Sequence, residues 1–162
     1  MPDVISNSSP LQYLHQAGVL DLLPALFGQV CVPEAVVAEL EEGRRRSVPL
    51  PTLNELSWLQ VRTVRDLTLL SLVTHLGDGE KEVLALGLEL SDALLLLDDR
   101  NARRHARALE LQISGTLGVL LLAKERGILN AVQPVLDRLQ ALRFRLDART
   151  RHLVLELASE KT

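Results

Sequence analysis

Leu94-Leu95-Leu96-Leu97-Asp98-Asp99-Arg100 is the stretch whose reading decides the fold. An unbroken leucine run passes directly into a pair of acids and then into a polar, arginine-rich segment. Strands apolar on both faces belong to parallel sheets covered by helices on each side, and such sheets bind ligands just beyond the carboxyl ends of their strands. Asp98 and Asp99 are therefore expected at that edge. Two carboxylates there can be helix caps, whereas four or five require a counter-cation.

On the upstream side, Leu67 to Leu76 is apolar at helical spacing and is broken by Gly77-Asp78-Gly79. A helix is predicted from Gly79 or Glu80 to about Leu90, with Val83, Leu84 and Leu88 on one side. Downstream, Asn101 to Leu109 reads as a basic helix carrying Arg103, Arg104 and Arg107. A short strand follows at Leu111-Gln112-Ile113, ending at Ser114-Gly115-Thr116. Leu117 to Arg126, Ala131 to Leu142 and Ala148 to Ala158 complete a helical C-terminal third.

The N-terminal half repeats the alternation. Val4-Ile5 is a very short strand, and Ser6-Asn7-Ser8-Ser9-Pro10 has the chemistry of a strand-to-helix turn. Ser9 and Gln12 are spaced as a capping box with Pro10 at the first helical position, and Leu11 and Leu14 point inward until Gly18. A second helical segment from Val19 ends near Gly28. Gln29 to Val32 is a strand, and Pro33 opens a helix with Val36 and Leu40 on one face, ended by Gly43. Residues 44–57 form an exposed connection, and Trp58 to Val64 alternates as an edge strand. Strands alternating with helices define an α/β fold, a three-layer α/β/α sandwich around a mostly parallel central sheet.

The chain has 162 residues, enough for one domain with a substantial core, and residues 1–162 are read as a single domain. Hydrophobic residues make up 47% but aromatics only 2%, so leucine, valine and alanine must build the core. A net charge of −3 disfavours coating nucleic acid by charge alone, while leaving room for a local basic patch or a bound cation. The lone Cys31 sits in an apolar run and fits a reducing compartment, so a cytoplasmic location is expected. No basic leader precedes an apolar core, and no apolar run approaches the roughly 18 residues that span a bilayer.

Polar groups cluster where strands give way to helices or where helices begin: Asn7 with Ser8, Asp78 with Glu80, Asp98 with Asp99, and Ser114 with Thr116. Glu39 adds a group from within a helix. Parallel strands bring such groups to one edge, and converging oxygens without cysteine or histidine suit Mg²⁺ or Mn²⁺. A metal there would position a phosphate and generate a hydroxide, which suits phosphodiester hydrolysis. Each residue also has a structural reading. Asp98 and Asp99 can cap the following helix, Asp78 can cap its own, and Glu80 suits a positive helix end. Glu39 can be a solvated acid, Ser8, Ser9 and Thr116 turn residues, and Arg103, Arg104 and Arg107 either a solvated face or the rim that holds a nucleic-acid backbone. Four apolar residues before two acids also describe the second motif of P-loop enzymes, but the chain has no G-x-x-x-x-G-K-[ST] loop. Neither a G-x-S-x-G elbow nor a metal-type histidine pair is present.

Taken together and in order, five stretches resemble the PIN-domain ribonucleases, in the branch that includes toxins of prokaryotic toxin-antitoxin pairs. They are Ser6 to Leu11, Val32 to Leu40, Gly79 to Leu86, Leu96 to Arg103, and Gly115 to Leu121. The resemblance implies a parallel sheet between helices, an acidic site holding Mg²⁺ or Mn²⁺, and cleavage of single-stranded RNA by a metal-activated water. It also implies a small antitoxin partner and a homodimer. Residue by residue, the family's first acid falls on Asn7, its helical acid on Glu39, its third on Glu80, and its last on Asp98 with Asp99 adjacent; Thr116 matches a common hydroxyl neighbour. Metal binding is thereby expected of Glu39, Glu80, Asp98 and Asp99, and substrate contacts of Ser8, Arg100, Arg103 and Thr116. Asn7 is the departure, since the catalytic pattern has aspartate there. An amide offers a carbonyl oxygen but no charge and is a far poorer base. Asp3 cannot substitute, because four strand residues place it about 13 Å away. The alternative function is a catalytically weak or inactive module that binds RNA or a protein partner.

Overall fold

The computed structural model describes residues 2–72 and 75–162. Five short strands form one all-parallel sheet: β1 (Val4–Ser6), β2 (Val30–Pro33), β3 (Leu59–Arg62), β4 (Leu94–Leu96) and β5 (Gln112–Ser114). Their spatial order is β3-β2-β1-β4-β5. Around them lie α1 (Ser8–Gln16), α2 (Leu22–Phe27), α3 (Glu34–Arg45), α4 (Asp78–Glu89), α5 (Arg100–Ala108), α6 (Thr116–Glu125), α7 (Gln133–Ala141) and α8 (Ala148–Leu157). The expected α/β sandwich with helices flanking a parallel sheet is the observed architecture.

The leucine run earns its central place by burial. Leu95, Leu96 and Leu97 are fully buried, as are Ile5 on β1 and Val30 and Val32 on β2. Helix α4 packs against β1, β2 and β4 and against α3, while α2 packs against α6. Strand order then fixes where a ligand can sit. The chain starts at β1 in the middle, builds outward through β2 and β3, and returns to place β4 on the other side of β1. Between β1 and β4 the order reverses, and a crevice opens there beyond the strands' carboxyl ends. Register pairs Ser6 with Leu96 and Leu96 with Ser114, so the first residues past these three strands emerge side by side.

Several local expectations are corrected. Helix α1 begins at Ser8 with Asn7 as its extended N-cap residue, whose side chain makes no capping hydrogen bond. The Ser9–Gln12 capping box therefore does not form, and the Ser9 hydroxyl bonds Asp98 instead. Gly43 does not end α3, which continues to Arg45. Its missing Cβ makes room for Leu50, whose Cδ1 lies 2.6 Å from where a Cβ would stand, and the chain leaves the helix through Ser47 at positive φ. Asp78 is the first residue of α4 rather than its cap, a position held by Gly77. The apolar stretch from Leu67 forms only a 3₁₀ segment to Leu72, and its continuation at 73–74 lies outside the described residues. The expected edge strand is β3, trimmed to Leu59–Arg62.

Candidate functional site

Asn7 and Asp98 stand on either side of the β1/β4 reversal. The Asn7 amide N–H bonds the Leu96 carbonyl, extending the ladder one step past β1. Asn7 is buried, at 7% exposure, and its Oδ1 has no hydrogen-bond partner among the described residues. A buried amide oxygen left unpaired costs roughly 1–3 kcal/mol of desolvation, which a water or a cation reaching it from the adjoining cavity would offset.

Asp98 is held by three donors. Its Oδ1 accepts from the Thr116 amide at 2.7 Å, and its Oδ2 accepts from the Thr116 hydroxyl at 2.7 Å and the Ser9 hydroxyl at 3.1 Å. It thus caps α6, the helix after β5, and not the helix that follows it in sequence. Gly115 makes this approach feasible: an added Cβ would stand 2.7 Å from Asp98 Oδ1 and 3.0 Å from the Leu97 carbonyl oxygen. The neighbouring Asp99 is the N-cap of α5, accepting from the Ala102 amide at 2.9 Å.

Glu39 reaches in from α3 and is claimed by two donors, the Gly79 amide at 2.9 Å and the Ser8 hydroxyl at 2.6 Å. Its charge lies at the positive end of α4. A Cβ on Gly79 would fall 2.6 Å from Glu39 Oε1, so this glycine is a condition of the contact. One residue on, Glu80 is raised from 4.5 to about 7, first by burial and then by the charges of Asp99 and Glu39 and a side-chain hydrogen bond with Asp99. Like charges so close resist joint ionisation, and a proton or a cation relieves them.

The arginines divide. Arg103 Nη1 donates to the Leu97 carbonyl at 2.8 Å and the Ser114 carbonyl at 3.0 Å, tying the ends of β4 and β5 together. Burial, and then Arg107, lower its pKa, with Asp98 opposing. Arg103 is thereby occupied as a structural clamp, whereas the exposed Arg100 stands at the rim of the site. Thr116 is fully buried against Asp98 and Ser8 is bonded to Glu39, so both position acids.

A cavity of about 710 Å³ is lined by Asn7, Ser9, Glu80, Asp98 and Asp99 among others; neither Glu39 nor the exposed Asp78 is part of its lining. Among the described residues, no three acidic, histidine or cysteine side chains come close enough to chelate an ion together. The donors are nonetheless all oxygens, one of them an orphaned amide and one a carboxyl raised to about 7 by burial and then by its acidic neighbours. That is the chemistry Mg²⁺ or Mn²⁺ prefers, so Asn7, Glu80, Asp98 and Asp99 fit such an ion in kind. Sequence reasoning missed Ser9, Gly79 and Gly115, because each acts on a carboxylate distant in the chain. The Gly79-Glu80 and Gly115-Thr116 pairs were the available signal, glycine standing directly before a polar helix-start residue.

A parallel sheet of order 3-2-1-4-5, with oxygen donors gathered where the order reverses, defines a class of α/β proteins that act on ligands at that crevice. The chain belongs to the DUF3368 family of PIN domains, whose model matches residues 3–160. PIN domains are typically nucleases and commonly metal-dependent. No curated protein and no solved structure matched the chain. Among the described residues, no helix is long and apolar enough to cross a membrane.

Proposed function

We propose that this chain is a Mg²⁺- or Mn²⁺-dependent endoribonuclease that cleaves single-stranded RNA and serves as the toxin of a toxin-antitoxin pair. The observation that carries the reading is the convergence of Glu80, Asp98 and Asp99 with Asn7, whose side-chain oxygen is unpaired among the described residues, in the lining of one cavity at the strand reversal. When bound, the divalent ion would supply a hydroxide near neutral pH and charge to stabilise the attacked phosphate. The chain's own residues do the rest. Ser9 and Thr116 fix the Asp98 carboxylate, Ser8 and Gly79 fix Glu39, and Arg103 locks the strand ends that carry both Asp98 and Thr116. Glu80, raised to about 7 by burial and then by its acidic neighbours, would be one of the oxygens holding the ion, whose charge would favour the ionised carboxylate.

A second reading has its own support. Asn7 brings no charge, and among the described residues the acids do not close into a chelating cluster. A weakly active or inactive module that binds RNA or a protein partner is consistent with both.

Purified protein incubated with labelled single-stranded RNA and Mn²⁺ or Mg²⁺ separates the two. The ribonuclease reading expects metal-dependent cleavage by the wild type, a loss of about a hundredfold or more in Asp98→Asn, and a gain in Asn7→Asp. Cleavage that Asp98→Asn leaves unchanged overturns it. Cleavage absent from the wild type and gained by Asn7→Asp establishes the second reading. Induced expression should arrest growth with the wild type and not with Asp98→Asn.

A further inference from the structure

Glu80, Asp98 and Asp99 account for only part of the cavity's lining. The cavity is lined as well by α1, by the loop entering α8 and by α8 itself, which bring Tyr13, Phe144 with Arg145, and Thr150. The chain has just four aromatic side chains, and two of them meet here. Tyr13 and Phe144 pack edge to face, with centroids 4.9 Å apart and planes at 83°. Both are half-buried, resting on the core while lining the cavity. In a core built from aliphatic residues, packing alone does not call for the pair at this cavity.

Charge here is also unspent. Arg145 is exposed and makes no ion pair or side-chain hydrogen bond among the described residues. Arg100, at the start of α5, also lines the cavity; the Thr150 hydrogen bonds first, and then the nearby charge of Arg100, hold the Asp147 carboxyl below its usual range. Asp147 is itself occupied as the cap of α8 through the Thr150 amide at 2.7 Å. With Arg103 bonded to two carbonyls, Arg100 and Arg145 are the cations left to meet a phosphate here. The cavity, about 710 Å³, lies within the range of roughly 300–1,000 Å³ typical of sites that enclose small ligands.

We infer that this part of the lining is a nucleotide subsite beside the acidic centre: one unstacked base of a single-stranded RNA seats against Phe144 and Tyr13, and Arg145 with Arg100 holds its phosphate. The inference rests on the RNA-directed reading above and deepens it, because it names the side chains that grip one nucleotide beside the acidic centre. Base stacking on an aromatic face tolerates any base, so the subsite selects for unpaired strand rather than for sequence. A duplex cannot present a splayed base without first breaking a pair.

The test is binding, measured separately from cleavage. Fluorescence anisotropy with a short labelled RNA, Ca²⁺ serving as the divalent ion, is run on the full chain with an abasic nucleotide moved along the strand. One abasic position should weaken wild-type binding by about fivefold or more, the effect of one lost stack. Phe144→Leu, which keeps an apolar filler, should weaken binding of the intact RNA and abolish the penalty at that same position. Arg145→Ala should reduce the salt dependence, lowering the log–log slope by about 0.7, one phosphate contact to a single strand. A flat abasic scan, or a penalty that persists in Phe144→Leu, overturns the subsite. If Phe144→Leu fails to fold, the wild-type scan and the Arg145→Ala salt slope still decide. Binding with the expected scan but without cleavage leaves the subsite standing while the ribonuclease reading fails; cleavage with a flat scan does the reverse. No binding of any RNA overturns both.

Discussion

At the scale of single residues, the site trades stability for chemistry. Glu80 is raised to about 7 from 4.5, burial first and the charges of Asp99 and Glu39 next. Its folded-state value lies above its unfolded value, so between those two pH values the folded protein holds the proton more tightly. The native state is thus favoured at low pH, and it loses that advantage as pH rises through 4.5 toward 7. In EDTA, Glu80→Gln should be more stable than the wild type at about pH 8, by roughly 1–3 kcal/mol after allowance for solvent screening at a partly exposed carboxyl. Near pH 4.5 the difference should shrink toward zero. Urea midpoints at the two pH values check this, and a gap that does not change with pH would mean that Glu80 is not strained by its neighbours.

Between elements, two helical glycines do opposite work. An ordinary exposed Gly→Ala change within a helix gains about 1 kcal/mol. At Gly43 a new methyl would meet only the end of the Leu50 side chain, which can rotate away. At Gly79 it would meet the Glu39 carboxylate, which is pinned by the Gly79 amide and the Ser8 hydroxyl and joins α3 to α4. Hydrogen bonds to a charged group contribute about 1.5–3 kcal/mol, so displacing Glu39 should outweigh the helix gain. Gly43→Ala is expected to be neutral or slightly stabilising and Gly79→Ala destabilising by about 1 kcal/mol. Placing Gly79→Ala on Glu39→Ala should remove that penalty, since nothing would remain to be displaced. A thermal-melting double-mutant cycle reads the coupling, and zero coupling would sink the pairing.

Across the whole molecule, legibility followed sequence distance. The leucine strand could be read because burial on both faces leaves a continuous apolar run, and the alternation of strands with helices implied a parallel sheet. Asp99 as a cap was within reach too, its donor Ala102 being three residues on. The donors to Asp98 were not, because Ser9 is 89 residues away and Thr116 is 18 away. The Glu39–Gly79 contact spans 40 residues and was equally invisible to local pattern. Ser9 misled for the same reason: its spacing to Gln12 satisfied a local rule, while a distant carboxylate offered its hydroxyl a stronger, charged acceptor. Strand order, which places the site, has no local signature in strands as short as these.

That strand order brings Asn7, Glu80, Asp98 and Asp99 together from three separated parts of the chain, so a cation held there would clamp the β1 end to the β4 end and to α4. An ion that binds only the folded state stabilises it by RT ln(1 + [L]/Kd), about 2.7 kcal/mol at a hundredfold excess over Kd. In a chain of this size each kcal/mol moves the melting temperature by about 2–4 °C, so a saturated site should show a rise of roughly 5–10 °C. Asn7 supplies an oxygen without charge, so wild-type protein should need more Mn²⁺ for the same rise than Asn7→Asp. In EDTA the order should invert, because the added carboxylate would then face Glu80, Asp98 and Asp99 across the same cavity with no cation between them. Melting curves of the two proteins against Mn²⁺ concentration test both halves at once. Curves that coincide at every concentration would show that position 7 does not face the ion, and the cause of its unpartnered amide would have to be sought in packing.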